Sequence, residues 1–158
     1  MDIVIVKWIH ILSSTLLFGT GIGSAFYLLA ATLHGDARVV APVARFVVRA
    51  DWMFTATTAV IQPVSGAWLA WRYGLGMEAT WIRISVVLYG VAIACWLPVV
   101  WLQLKLRDAA QSVAPAEGAG PVPLPPSYLR YFRVWFLLGI PAFLAFVCIF
   151  YLMTAKTP

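Results

Sequence analysis

Four long apolar runs dominate the hydrophobic pattern of the chain, and polar connectors separate them. The runs cover residues 3–33, 47–73, 80–104 and 131–154. Each run is long enough to cross a hydrocarbon core of about 30 Å as an α-helix of about 20 residues. None of them alternates apolar and polar residues as the strands of a membrane barrel do. The pattern predicts an all-α membrane protein, an antiparallel four-transmembrane-helix bundle that forms a single domain over residues 1–158.

The three connectors differ in composition. Residues 34–50 mix valine with arginine, and this amphipathic pattern predicts an N-terminal extension of the second helix that lies at the membrane interface. Residues 73–79 contain two glycines and predict a tight turn. Residues 109–127 are rich in alanine, glycine and proline, which predicts a flexible cytoplasmic linker rather than a helix.

The composition excludes a soluble domain. Hydrophobic residues make up 63% of the chain and charged residues only 11%, whereas about a quarter of the residues of a soluble domain are charged. The net charge of +5 does not predict a nucleic-acid partner, because the basic residues flank the apolar runs. In that position they meet the headgroups of membrane lipids and set the topology.

The distribution of basic residues predicts the orientation in the membrane. Seven of the 11 lysines and arginines lie on the side of the first and third connectors, and four lie on the side of the termini. The connector side carries Arg38, Arg45, Arg49, Lys105, Arg107, Arg130 and Arg133. Because cytoplasmic loops are enriched in basic residues, we expect a multi-pass protein of the bacterial inner membrane with both termini in the periplasm.

The strongest candidate for a functional site is His10 in the first apolar run. It shares a helix face with Lys7, and an ionisable residue inside a membrane span indicates a functional site by default. The other histidine, His34, lies about 36 Å further along the same helix, so one chain cannot place both histidines on one metal ion. Three interpretations of His10 are open: an axial ligand of haem b, a neutral histidine bonded to Ser13, Ser14 or a carbonyl group, or a proton-relay or metal-relay residue.

Basic side chains at the depth of His10 suit a haem group. Guanidinium and ammonium groups bind carboxylates well, so Lys7, Arg83 and Arg72 are candidates to hold the two propionates. Alternatively, Arg83 extends its side chain to the interface. The second axial ligand would be Met153 or the His10 of a second subunit. Ser14 is a further candidate for contact with the cofactor.

Several short motifs resemble those of the HemJ-type membrane proteins. Lys7-Trp8-Ile9-His10-Ile11, followed by a glycine-containing helix, resembles their first helix. Trp81-Ile82-Arg83 resembles the start of their third helix, and Tyr131-Phe132-Arg133 with Ile140-Pro141 resembles their last helix. The chain is also similar to the CopD-like copper-resistance membrane domains, and to an uncharacterised bacterial integral-membrane family related to both, in which we place it.

The resemblance implies haem binding more than a particular reaction. HemJ-type proteins are haem-binding protoporphyrinogen oxidases with four helices, and His10 matches the position of their proposed haem ligand. They carry a histidine and a lysine near the start of the third helix, where this chain has Arg83 and Ser85. The lysine is therefore missing, which removes part of the support for porphyrinogen oxidation.

We therefore expect a haem b-binding inner-membrane protein that transfers electrons or oxidises a porphyrin or another lipid-soluble substrate. Whether it is an enzyme stays open. A quinone or a respiratory complex would be its redox partner. A homodimer is expected, and Gly19 and Gly23 form a GxxxG pair that would serve either dimerisation or packing within the bundle. The alternative is a non-enzymatic membrane subunit, either a CopD-like copper-handling accessory that uses Met153 and His10 or an assembly factor without a cofactor.

Overall fold

The computed structural model describes residues 1–114 and 120–156, and most of these residues lie in helices. The predicted linker 109–127 lies partly outside these residues. The elements are α1 (Asp2–His34), α2 (Ala37–Ala50), a π-helical segment (Asp51–Thr55), α3 (Ala56–Arg72), α4 (Thr80–Val113) and α5 (Pro126–Ala155).

Within residues 1–114 and 120–156, three helices are long and apolar enough to cross a membrane: α1, α4 and α5. Little of their most apolar stretches is buried inside the protein: 22% for α1, 17% for α4 and 6% for α5. Their exposed faces are therefore suited to lipid rather than water. At 17 residues, α3 is about 26 Å long, which is shorter than the hydrocarbon core of a bilayer.

Helix α2, the π-helical segment and α3 follow one another without an intervening loop. The predicted amphipathic connector is thus an N-terminal extension of the next helix, and one of its faces packs into the protein. Its location at the membrane interface stays a prediction. Its valines and alanines face the core, where Val40, Ala44 and Val47 are almost fully buried. In the π-helical segment the backbone N–H of Ala56 donates to the carbonyl oxygen of Asp51, five residues earlier, so this turn is wider than an α-helical turn.

Two helices extend beyond the apolar runs that predicted them. Helix α4 continues past the predicted end at residue 104 to Val113, because Leu106 and Ala110 are buried in the core and alanine favours a helix. Helix α5 begins at Pro126 rather than at residue 131. Proline suits the first turn of a helix, where its missing N–H has no intrahelical partner.

The core lies where the second half of α4 and the first half of α5 meet α1 and α2. Leu28, Val40, Leu106 and Tyr128 are its most deeply buried large side chains. The hydroxyl groups of Tyr128 and Thr32 lie 2.7 Å apart, which joins α5 to α1 by a hydrogen bond.

The chain segment before α5 is attached to the corner between α1 and α2. Gly35 ends α1 with a left-handed backbone (φ 81°) that glycine adopts without strain. Asp36 then caps α2 by accepting a hydrogen bond from the backbone N–H of Arg38 at 2.9 Å. The N–H of Val122 also donates to this carboxylate at 3.3 Å, and Ala37 N–H donates to the carbonyl oxygen of Val122 at 2.8 Å.

The GxxxG face of α1 is not used for close packing within this chain. A Cβ atom built on Gly19 or Gly23 would meet no atom within 4 Å. The face is therefore accessible from outside α1 along this part of its length.

Candidate functional site

The ring of His10 packs between α1 and α3 and is half-buried. Its Nδ1 lies 2.8 Å from the hydroxyl oxygen of Ser65, and its Nε2 lies 3.2 Å from the side-chain nitrogen of Gln62. Both ring nitrogens thus have a partner on α3. The two helices are joined at this point by polar contacts that span more than 50 residues of sequence.

The partners determine which atoms carry the protons. The Ser65 hydroxyl donates to the carbonyl oxygen of Ile61 at 2.6 Å, so it accepts the Nδ1–H of His10. The Gln62 amide donates to Nε2, and its oxygen accepts a hydrogen bond from the Ser13 hydroxyl. This assignment leaves a neutral imidazole with both nitrogens satisfied.

Gly66 allows α3 to approach the histidine ring closely. A Cβ atom at this position would lie 3.1 Å from Cε1 of His10, closer than ordinary van der Waals contact. The absence of a side chain at Gly66 is therefore what lets the imidazole sit against the backbone of α3.

The other residues predicted for the site are not joined to His10 by a hydrogen bond or an ion pair within the described chain. Ser14 donates to the carbonyl oxygen of Ile11 at 2.7 Å, within its own helix. The Arg72 guanidinium lies over the ring of Trp68 at 5.7 Å. The side chains of Lys7, Arg72, Arg83 and Met153 are all exposed.

The residues around His10, as they are packed, do not fit an axial haem ligand. Iron binding needs a free lone pair on one imidazole nitrogen, but Nε2 accepts from Gln62 and Nδ1 carries the proton given to Ser65. The hydrogen bonds favour the interpretation of His10 as a neutral histidine held by polar neighbours. Ser13 was a predicted partner of His10, but its hydroxyl bonds to the Gln62 oxygen rather than to the ring. Gln62 and Ser65, which bond to the ring nitrogens, were not predicted. Within the described residues, no three His, Cys, Asp or Glu side chains are grouped to hold a metal ion.

A second site lies in a cavity of about 610 Å³ between α1, α4 and α5. Its lining is almost entirely apolar except at the closed end, where polar side chains gather from the π-helical segment and two helices. These are Asp51, Thr55, Trp96, Gln103 and Trp135. A pocket of this size with a few converging polar groups is typical of small-molecule sites.

Asp51 is a buried acid without a basic partner. Its side chain is 4% exposed, and Trp96 Nε1–H donates to its Oδ2 at 3.3 Å. The side chains of Thr55 and Gln103 also face the carboxyl group. The ion pair formed within residues 1–114 and 120–156 joins Arg107 to Asp108, so no lysine or arginine described there neutralises Asp51.

Two of the residues that line the cavity carry a hydrogen-bond donor that has no partner among the described residues. The hydroxyl of Thr55 and the indole Nε1–H of Trp135 are both buried, and neither has a partner of good geometry in the described residues. The Thr55 hydroxyl lies beside the Asp51 carboxyl but does not reach it in hydrogen-bond geometry. Nearly all buried polar groups in proteins are bonded, so these two atoms are the ones that need an explanation.

The cavity opens between α1 and α5. Large apolar side chains from both helices line its mouth and are exposed at the protein surface, among them Phe26 (63% exposed) and Leu144 (54%). Phe18 of α1 closes another part of this gap, because its ring stacks on Phe143 at 5.6 Å and meets Phe150 edge-on at 5.1 Å. The opening therefore faces the surface that is suited to lipid.

The sequence analysis did not identify the Asp51 site, although a signal was present. Asp51 is the one acidic residue in the apolar run 47–73, and Gln103 lies near the end of the next run. The rule that selected His10, an ionisable residue within a span, selects Asp51 as well.

Comparison with known proteins identifies a family to which the chain is similar. A family model described as "Predicted integral membrane protein (DUF2269)" covers residues 4–157. No curated protein and no solved structure matches the chain. The expected membership of an uncharacterised membrane family is thereby confirmed, whereas the closer resemblance to HemJ-type and CopD-like proteins receives no support from these comparisons.

Proposed function

The chain belongs to this family of integral membrane proteins, and from that premise we propose that it binds a lipid-soluble molecule in the cavity closed by Asp51. The molecule reaches the cavity from the bilayer, between α1 and α5. The observation that carries the proposal is the combination of a buried, unneutralised acid with an apolar cavity that opens on a lipid-facing surface. Such acids inside membrane proteins mark substrate pathways and binding sites.

The proposal includes a fourth crossing of the membrane. The 22 residues from Asp51 to Arg72 form the π-helical segment and α3, a length of about 33 Å at α-helical rise. With four crossings both termini lie on one side, and the positive-inside rule puts them in the periplasm of a bacterial inner membrane. The open GxxxG face of α1 then suits contact with a second copy of the chain.

Photolabelling tests the proposed site. The probe is hexadecanol with a diazirine on its chain, added to the full-length protein in lipid nanodiscs, and the adducts are located by peptide mapping. We expect saturable labelling at Ala92, which lines the cavity and is 1% exposed. Gly139→Leu should abolish this labelling, because Gly139 lines the cavity and its Cβ position is open.

The matched control is Gly90→Leu on α4, whose Cβ position is equally open but which does not line the cavity. It should label like the wild type. If Ala92 stays unlabelled in the wild type, or is labelled equally in Gly139→Leu, the proposal is wrong.

Haem b ligation by His10 stays a prediction with its own test. The hydrogen bonds of His10 do not fit such a role. A reduced-minus-oxidised spectrum of the purified protein should show an α-band that is lost in His10→Ala if haem is bound there. A colourless wild type from cells supplied with haem precursors would contradict it. No specific contact favours copper handling or a role in assembly.

A further inference from the structure

We propose that the molecule held in the cavity is an isoprenoid quinone, with the carbonyl oxygens of its ring at the closed end. This inference rests on the proposed ligand site and adds the chemical class of the ligand. It is carried by the unpartnered donors of Thr55 and Trp135, by the aromatic lining and by the direction in which the cavity opens.

The polar groups at the closed end call for a ligand that accepts hydrogen bonds. Four of the residues that line the cavity, Thr55, Trp96, Gln103 and Trp135, carry N–H or O–H donors, and Asp51 is the one acidic residue in the lining. Two of these donors are unpartnered, and a buried donor left without an acceptor lowers stability appreciably. Carbonyl oxygens of a ligand would satisfy them.

The charge of the site selects a neutral head group. An anionic head, such as a phosphate or a fatty-acid carboxylate, would be buried without a basic partner, because no lysine, arginine or histidine is among the described residues that line the cavity. A cationic head would pair with Asp51 but would bring only donors to the unpartnered N–H of Trp135 and O–H of Thr55. A quinone ring is neutral and carries two acceptors.

The shape of the cavity suits a flat ring with an apolar tail. Indole and phenyl rings of Trp96, Trp135 and Phe136 line it, and aromatic faces favour stacking with a planar group. The exposed side chains of Phe26 and Leu144 at the mouth give an isoprenoid tail an apolar path between α1 and α5 into the bilayer.

Competition against the hexadecanol probe tests the head group. Decylubiquinone is titrated into nanodiscs that hold the full-length protein and the probe, and its concentration is expressed per lipid. We expect it to displace labelling at Ala92. Trp135→Phe and Thr55→Val should each raise the half-displacing concentration about 5-fold to 10-fold, the effect of one lost hydrogen bond. Trp101→Phe, outside the cavity, should leave it unchanged.

The outcomes separate this inference from the proposed function. Labelling at Ala92 that decylubiquinone does not displace, or displaces equally well in wild type, Trp135→Phe and Thr55→Val, overturns the quinone assignment and leaves the lipid-soluble ligand site standing. Absence of saturable labelling in the wild type overturns both. Retained hexadecanol labelling in the two variants shows that their cavity is intact.

Discussion

At the scale of single residues, Gly66 sets the distance between α1 and α3. The ring of His10 occupies the space that a side chain at Gly66 would need, with Cε1 3.1 Å from the Cβ position. The hydrogen bonds to Gln62 and Ser65 then fix the orientation of the ring. Gly66 thus provides the space for a polar contact between α1 and α3, which the side chains of His10, Gln62 and Ser65 form.

We expect Gly66→Ala to destabilise the protein relative to Gly90→Ala. Alanine favours a helix over glycine by about 1 kcal/mol at an unhindered position, and the Cβ position of Gly90 is open. At Gly66 the added methyl group forces His10 to move, and overpacking of this kind costs about 1–3 kcal/mol. Thermal unfolding in one detergent should place Gly66→Ala below Gly90→Ala by several degrees; equal melting temperatures would contradict the packing argument.

Sequence reasoning could identify His10 but not its partners. The histidine interrupts an apolar run, which is visible in the sequence alone. Its contacts with Gln62 and Ser65 depend on how α3 is rotated and shifted against α1, and local sequence patterns do not encode that register. Lys7, Arg72 and Arg83 share its proposed depth, but depth in the membrane does not determine which side chains meet.

At the scale of elements, Asp36 connects three parts of the chain. Its carboxylate accepts hydrogen bonds from the backbone N–H groups of Arg38 in α2 and Val122 in the segment before α5. The Arg38 N–H is the main reason why the pKa of Asp36 lies below its usual range. Partial burial opposes this effect, and Val122 N–H and the charges of Arg38 and His34 add to it.

This contact should weaken in acid. Because the folded protein lowers the pKa of Asp36, the carboxylate stabilises the fold above the unfolded value of about 3.9, and that contribution is lost as the pH falls through the lower folded value. The protection of Val122 N–H from hydrogen exchange, measured relative to the intrinsic exchange rate at each pH, should therefore decrease below about pH 4. Asp36→Asn keeps an acceptor for the helix cap but does not titrate, so its Val122 exchange should lack this step. The same step in Asp36→Asn would assign it to another group.

The helices themselves were largely predictable, and their irregular parts were not. Apolar runs locate α1, α4 and α5 because lipid-facing helices must be apolar over a length set by the bilayer. The C-terminal end of α4 and the N-terminal end of α5 lie outside the apolar runs. They depend instead on burial of Leu106, Ala110 and Tyr128 in the core. The π-helical segment has no hydrophobic signature, since it differs from an α-helix only in its hydrogen bonds.

At the scale of the whole molecule, the number of crossings decides where the termini lie. Three crossings, by α1, α4 and α5, would put Asp2 and Lys156 on opposite sides of the membrane. Four crossings, with residues 51–72 as the additional span, put them on the same side. The charge bias toward the first and third connectors favours the second arrangement, in which we expect both termini outside.

Cysteine labelling distinguishes the two arrangements. In a chain with Cys95 and Cys148 replaced, we expect Asp2→Cys and Lys156→Cys to react with a membrane-impermeant maleimide in intact spheroplasts. Ser112→Cys, near the end of α4, should react only after the membrane is permeabilised. Reaction of just one terminal cysteine in intact spheroplasts would indicate three crossings.

The π-helical segment also sets the angular phase of the helix that contains both polar sites. At about 100° per residue, an uninterrupted α-helix would place Gln62 within about 20° of Asp51. The extra residue of the wide turn rotates everything after it by about 100°, so that Asp51 faces the cavity while Gln62 faces His10. Deletion of one residue there would leave the helix continuous but would rotate its second half by about 100°. Asp51 and Gln62 would then face the same side, and the helix could no longer serve both sites. We therefore expect relatives that lack this residue to have kept one of the two sites and lost the other.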